Sequence, residues 1–330
     1  MAVPLSVLDL AEVGEHEAVG DSLEGSVALA RRAEELGYRR VWYAEHHNMG
    51  AIASSAPAVL IAHIAAHTRT IRLGAGGVML PNHAPLTIAE QFGTLAALHP
   101  GRIDLGLGRA PGTDERTIAA LRRHPSSAEY FPRDVLELQG FLSGTSRVPG
   151  VQATPGKGTD VPLYILGSSL FGAKLAAALG LPYGFASHFA PNALEAAVGA
   201  YRREFQPSAQ LQAPYVIAGV NVIAADTTQE ARAHLLQARR RRVRLLLGRD
   251  RQLSAAEVDE LLDSPAGLQV DNMLRYTAVG TPEEVEGYLV RFAAQADADE
   301  LICASAATDR QARLRSLELV ASVHGMAPVG

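Results

Sequence analysis

Cysteine is nearly missing from this sequence. Cys303 is the single one in 330 residues, which excludes an intramolecular disulfide framework and any zinc or iron–sulfur centre built on several thiolates. Long apolar runs are missing too: no stretch of about eighteen uninterrupted apolar residues occurs, so nothing reads as a bilayer-spanning helix. Charge of one sign is not in excess. Lys and Arg number 30 against 35 Asp and Glu, for a net charge of −5, and that balance creates no global field that draws nucleic acid or an anionic membrane. The start, Met1 to Asp9, has neither a basic n-region nor a long h-region, so it does not read as a secretory signal, and the expected location is the cytoplasm. What is plentiful is apolar content, 48% against 20% charged, which is incompatible with a disordered tail and allows a large buried core.

Short apolar runs alternate with helical patterns from end to end. The predicted strands are Leu5–Leu8, Val41–Ala44, Ile71–Leu80, Ile103–Leu107, Leu163–Leu166, Tyr183–Ala186, Tyr215–Ala224 and Leu301–Ala304. Most are apolar on both faces, the pattern of a parallel sheet covered by helices. Between them, Asp21 with Glu24 resembles a capping box and Gly37 a residue closing the first helix. Ser54-Ser55 before Pro57 opens the second helix, and Pro85 suits the first turn of the third. Eight strands joined by right-handed crossovers predict a closed (β/α)8 TIM barrel. A doubly wound open sheet is the rival, but Asp9–His16 after the first strand has no Gly-rich turn. The expectation is one domain over residues 1–330, with insertions near 145–162 and 250–280. Pro149–Pro162 reads as a loop, and Ser254–Gly280 as a short helix within irregular sequence.

In such a barrel the site lies at the C-terminal ends of the strands. There the sequence places Glu45-His46-His47, Pro81-Asn82-His83, Gly106-Leu107-Gly108-Arg109, Gly167-Ser168-Ser169 and Ser187-His188. As a metal site Glu45-His46-His47 is weak, because adjacent histidines on a strand point apart and no further ligand motif accompanies them. As an acid/base centre it is stronger: His46 titrates near neutrality and Glu45 can bias its charge. The bland reading is a polar cap on the barrel mouth. Gly167-Ser168-Ser169 before a helix offers backbone N–H groups and a dipole to a phosphate, with Arg109 beside it in barrel order; ordinary N-capping by either serine is the alternative.

Three tempting motifs fail. Gly106-x-Gly108 has Pro111 where a dinucleotide turn needs glycine, and Pro155-Gly156-Lys157-Gly158 lacks the leading Gly and final Ser/Thr of a phosphate loop. The run Arg239–Arg242 spreads around a helix at roughly 100° per residue, so it makes no single groove-reading face and reads as a solvated face or a subunit contact.

Taken together, Pro4–Leu10, Val41–His47, Gly74–His83, Pro100–Arg109, Gly180-Leu181-Pro182 and Val279–Glu284 resemble, in order and spacing, the bacterial luciferase-like family of flavin-dependent monooxygenases and reductases. The resemblance covers nearly the whole chain except Ser254–Tyr276. It implies a barrel, usually dimeric, that binds FMN or, in one branch, a deazaflavin coenzyme. His46 matches the family's catalytic base, and Gly76-Gly77 falls where the family has a non-prolyl cis peptide under the flavin ring. Arg109 matches a phosphate-binding arginine, and Ser169 and Gly172 match phosphate contacts. Ser168 stands where the family has a glutamate, and Gly108 where the luciferases have a reactive cysteine. These departures argue against light emission but not against oxygenation. The expected site is thus His46 and Glu45 as catalytic pair, with Gly76, Gly77, Gly108, Arg109, Ser168, Ser169, Gly172 and His188 around the flavin. No metal is expected. The implied activity is oxygenation of a small organic substrate by O2 and reduced FMN, supplied by a separate reductase. Hydride transfer without oxygen and non-catalytic flavin binding are the alternatives. Oxygenated flavin decays unless water is excluded, so Met79, Leu80, Leu107 and a lid from Ser254–Gly280 are expected to wall the pocket.

Overall fold

A computed structural model describes residues 3–14, 16–110, 112–248, 253–307 and 309–326; Pro111 lies outside them. Nine parallel strands occur: β1 (Leu5–Asp9), β2 (Arg40–Tyr43), β3 (Arg72–Met79), β4 (Ile103–Gly108), β5 (Leu163–Gly167), β6 (Tyr183–Phe185), β7 (Val216–Ala224), β8 (Thr277–Gly280) and β9 (Glu300–Ser305). Eight close a barrel in the order β1–β2–β3–β4–β5–β6–β7–β9, with β9 returning to β1. All eight predicted strands are present, each within a residue of its expected bounds. The ninth is not among them. β8 pairs only with β7, through Asn221–Ala224, on the edge whose first half pairs with β6.

Helices α1 (Val19–Leu36), α2 (Pro57–Ala65), α3 (Pro85–Leu98), α4 (Glu115–Ala120), α5 (Phe131–Ser143), α6 (Leu170–Leu179), α7 (Leu194–Glu204), α8 (Thr228–Leu247), α9 (Ala255–Leu262), α10 (Pro265–Met273), α11 (Pro282–Gln295) and α12 (Arg310–Val323) surround the strands. Pro57 and Pro85 occupy first helical turns, and Gly37 closes α1 in the left-handed region at φ 84°. The Asp21–Glu24 capping box is not formed, because α1 starts earlier, after Ala18, and both residues lie inside it. Residues 145–162 form neither helix nor strand, as expected of a loop insertion. The stretch from Ser254 to Gly280 is a correction: it holds α9, α10 and β8. A Ser254–Glu257 capping box starts α9, and Ser264 before Pro265 starts α10, signals that were readable from residue types alone. Val258, Leu262, Val270 and Leu274 pack against Val243 of α8, so this stretch buttresses α8.

Alternation along the strands separates two cores. Outward residues such as Val7, Val41, Leu73, Leu105 and Ile165 meet the helices in the main core. Inward residues form a smaller cluster of Leu8, Trp42, Tyr164, Ile217, Ile302 and Ala304. Gly74 makes room for it: a Cβ there would come within 2.8 Å of the Trp42 indole nitrogen and 2.7 Å of Asp104. Below the Trp42 layer lies a buried ionic network. Arg40 Nη1 donates to Asp104 Oδ2 (2.7 Å) and its Nη2 to Glu300 Oε2 (3.1 Å), while Arg72 Nε donates to Asp104 Oδ1 (3.1 Å). The Ser6 hydroxyl donates to Glu300 Oε1 and the Tyr215 hydroxyl to Glu300 Oε2. No helix among the described residues is long and apolar enough to cross a membrane.

Candidate active site at the barrel mouth

Above the Trp42 layer the mouth has an apolar floor. Leu10 and Leu166 are partly buried against the inner cluster. Gly76 is half-buried in the middle of β3 while its neighbours Ala75 and Gly77 are buried, so backbone rather than side chain faces the opening there. A Cβ at Gly76 would lie 2.9 Å from Leu8 Cδ1 and from Trp42 Cβ, and the lack of one lets the strand sit directly on that layer. The Gly76–Gly77 peptide is cis, the form expected from the resemblance. Gly108 ends β4 beneath Met79, whose sulfur would be 2.8 Å from any Cβ at that position. Leu80 and Leu107 do not wall this space; both are fully buried in the outer core between barrel and helices, because strand alternation turns Leu107 outward and Leu80 already begins a 3-10 turn.

His46 follows β2, with its N–H donating to the Ser54 carbonyl (3.0 Å). Its Nδ1 is buried without a hydrogen-bond partner among the described residues. Burial pushes its pKa down, aided by the His47 and Arg242 charges and opposed by the Gly112 backbone and Glu45. The ring is therefore neutral at pH 7 and able to accept a proton.

Glu45 acts on His46 through space and not by a hydrogen bond. Its carboxylate is fully buried, with His47 Nε2 and His83 Nε2 each 2.8 Å from Oε1 and the Met79 N–H donating to Oε2 at 3.0 Å. Burial alone would raise the Glu45 pKa, but hydrogen bonds and charge from His83, with His47 and Met79, more than offset it and keep the group ionised. Glu45 thereby ties the loop after β2 to the loop after β3. The role of His83 was not foreseen; its position at the end of a barrel strand was the available signal.

Across the mouth, β4 and β5 present a second constellation. Arg109 is exposed, and its guanidinium lies 4.1 Å from the Phe171 ring centroid. Ser169 is the N-cap of α6, yet its hydroxyl makes no capping hydrogen bond, so the ordinary capping alternative is not realised. Tyr183 hydroxyl donates to the Ser169 carbonyl (3.0 Å) and its ring backs Gly172, holding the first turn of α6 in place. Ser168 is half-buried beside it. Free N–H groups, a helix N-terminus and an arginine with no carboxylate partner among the described residues together suit a dianionic phosphate.

His188 follows β6. Its Nδ1 is also buried without a partner, and burial, with the Arg242 and His46 charges, pushes its pKa down to about 3. Asn221 Nδ2 donates to its carbonyl (2.6 Å). Arg242 corrects the reading of the arginine run. Arg239 pairs with Asp271, Arg240 with Asp259 and Arg241 with Glu12, whereas Arg242 is half-buried and makes no ion pair among the described residues. No cluster of metal-ligating side chains occurs among the described residues.

The profile of the luciferase-like monooxygenases matches residues 3–299. A luciferase-like monooxygenase of Escherichia coli is 47% identical over 324 residues, 97% of each chain. The N-acetyl-S-alkylcysteine monooxygenase of Bacillus subtilis is 37% identical over 298 residues, 88% of each chain. The crystal structure of apo-MsnO8 superimposes with a TM-score of 0.90 at 38% identity, covering 99% of this chain and 100% of that one. With a closed parallel barrel, a glycine-floored mouth and matches that span its length, the chain belongs to the luciferase-like monooxygenase family.

Proposed function

We propose that this protein is a flavin-dependent monooxygenase that uses reduced FMN and O2 to oxygenate a small organic substrate. One observation carries the reading: a neutral His46 with an unpartnered, buried Nδ1 after β2 shares the C-terminal end of the barrel with an anion cradle after β4 and β5, Arg109 and the α6 N-terminus, above an apolar inner cluster. Arg109 and the N–H groups around Ser169 and Gly172 hold the flavin phosphate, and Gly76, Gly77 and Leu166 support the ring. Bound reduced flavin supplies the electrons that activate O2. His46 Nδ1 accepts and returns the proton that moves during oxygen transfer, and Glu45 holds the loop that positions it. Trp42, Leu8 and Leu166 exclude water from below. The Bacillus relative, by its name, acts on N-acetyl-S-alkylcysteines, which makes such thioethers the first substrates to offer. A separate reductase supplies the flavin, and a second copy of the chain is the proposed partner; Val59, 72% exposed on α2, supports an interface there.

The test is rapid mixing of protein and anaerobic FMNH2 with oxygenated buffer. The expected result is a transient absorbance distinct from oxidised and reduced FMN and absent with FMNH2 alone. Reoxidation at the free rate, together with tight binding of the deazaflavin coenzyme, supports hydride transfer instead and overturns the proposal.

A further inference from the structure

We propose that Arg242 binds a carboxylate of the substrate, on the side of the mouth opposite the flavin phosphate; the inference rests on the flavin site described above. Arg242 makes no hydrogen bond or ion pair among the described residues, although it is half-buried and its three preceding neighbours each clasp a carboxylate. A half-buried guanidinium without an ion pair keeps its hydrogen-bonding fork free, so a carboxylate that pairs with it gains a charge-assisted bond in partly desolvated surroundings. Its place is fixed from two sides. Arg241, next to it, donates to Glu12 Oε2 (2.8 Å) and to the Ala51 carbonyl (3.2 Å), which clamps this turn of α8 to the loops after β1 and β2. Val243, on the other side, is fully buried against α9 and α10.

That clamp places Arg242 over the β7–β9–β1–β2 arc, four strands around the barrel from the phosphate cradle on β4 and β5. The Arg242 charge reaches both His46 and His188, and the loops that clamp its turn of α8 are those after β1 and β2, at the same end of the barrel as His46. The two histidines are neutral rings, and Glu12, the carboxylate whose charge reaches it, is already clasped by Arg241. A carboxylate fits a guanidinium fork with two parallel hydrogen bonds, and its partner end would then lie over the floor between Arg242 and the cradle.

The experiment titrates matched carboxylate and primary-amide pairs, N-acetyl-S-benzylcysteine and benzoate among them, into the full chain by calorimetry, with and without FMN. The wild-type protein should bind a carboxylate about 10- to 100-fold more tightly than its amide. Arg242→Gln should abolish that preference, Arg242→Lys should keep part of it, and FMN affinity should change less than threefold in both. A wild-type protein that prefers no carboxylate of the series overturns the proposal, as does an Arg242→Gln protein that keeps the preference. A large loss of FMN affinity in Arg242→Gln also overturns it, since the anion would then belong to the flavin. Failure of the wild-type protein to bind FMN defeats the flavin reading instead, and the anion preference is still read on the protein alone.

Discussion

At the N-terminal end of the barrel, Arg40, Arg72, Asp104 and Glu300 sit inside the strands with their charges paired and their hydrogen bonds shared with Ser6, Tyr164 and Tyr215. At the C-terminal end, polar atoms are buried and left over. His46 Nδ1 and His188 Nδ1 lie just beyond the C-termini of β2 and β6, buried and without a hydrogen-bond partner among the described residues. Both ends bury comparable chemistry. The lower end spends it on holding strands together, and Arg40 shows this: burial would lower its pKa, but Glu300 and Asp104 more than reverse the effect. The upper end keeps hydrogen-bonding capacity unspent, as a site must if it is to bind something.

The sharpest way to break this contrast is at the top. His46→Ala should cut turnover about 10²- to 10⁴-fold while chemical denaturation shows a stability change of only about 1 kcal/mol, because Nδ1 has no partner to lose and the ring's hydrogen bond is to the Gly112 backbone. A variant that turns over at the parent rate would move the base to another residue, with His188 the next to examine.

At the bottom, Arg40→Met should do the reverse. It leaves Asp104 and Glu300 buried beside a neutral side chain, a loss of about 3–5 kcal/mol of stability with FMN affinity in the folded fraction nearly unchanged. Urea unfolding measures the first and fluorescence titration the second; a stability within about 1 kcal/mol of the parent would show that the network is not needed for the fold.

Arg109→Ala removes a cation stacked on Phe171. If it holds the phosphate, FMN should bind roughly 10- to 150-fold more weakly, from about 1.5–3 kcal/mol of charge-assisted hydrogen bonding, while riboflavin, which has no phosphate, loses nothing. Equal losses for both ligands would retire Arg109 as a phosphate contact.

A last effect is graded with pH. His188 is held neutral in the fold to about pH 3, whereas it takes a proton near its ordinary value when unfolded. Its contribution to stability is therefore complete above about pH 6.5 and declines as pH falls from there toward 3. His188→Asn should have a shallower stability profile than the parent across that window. Parallel profiles would show that the imidazole titrates normally.

Residue pattern alone was enough for the barrel. Strands apolar on both faces, separated by helices with proline near their starts, admit few arrangements, and all eight barrel strands follow from local chemistry. The rim positions of His46, Arg109, Ser169 and His188 follow as well, since they lie immediately after strands. The strand Thr277–Gly280 did not, because four residues pairing with only half of one edge of β7 carry too little periodicity to announce themselves. Nor did the division of labour within Glu45-His46-His47, where the buried carboxylate bonds His47 and the distant His83 and leaves His46 free. The same holds for Arg239–Arg242: four identical residues in a row are indistinguishable in sequence. Only packing decides which of them meets a carboxylate and which is left without one, because partners such as Glu12, Asp259 and Asp271 lie 19 to 229 residues away along the chain, brought together by tertiary structure alone.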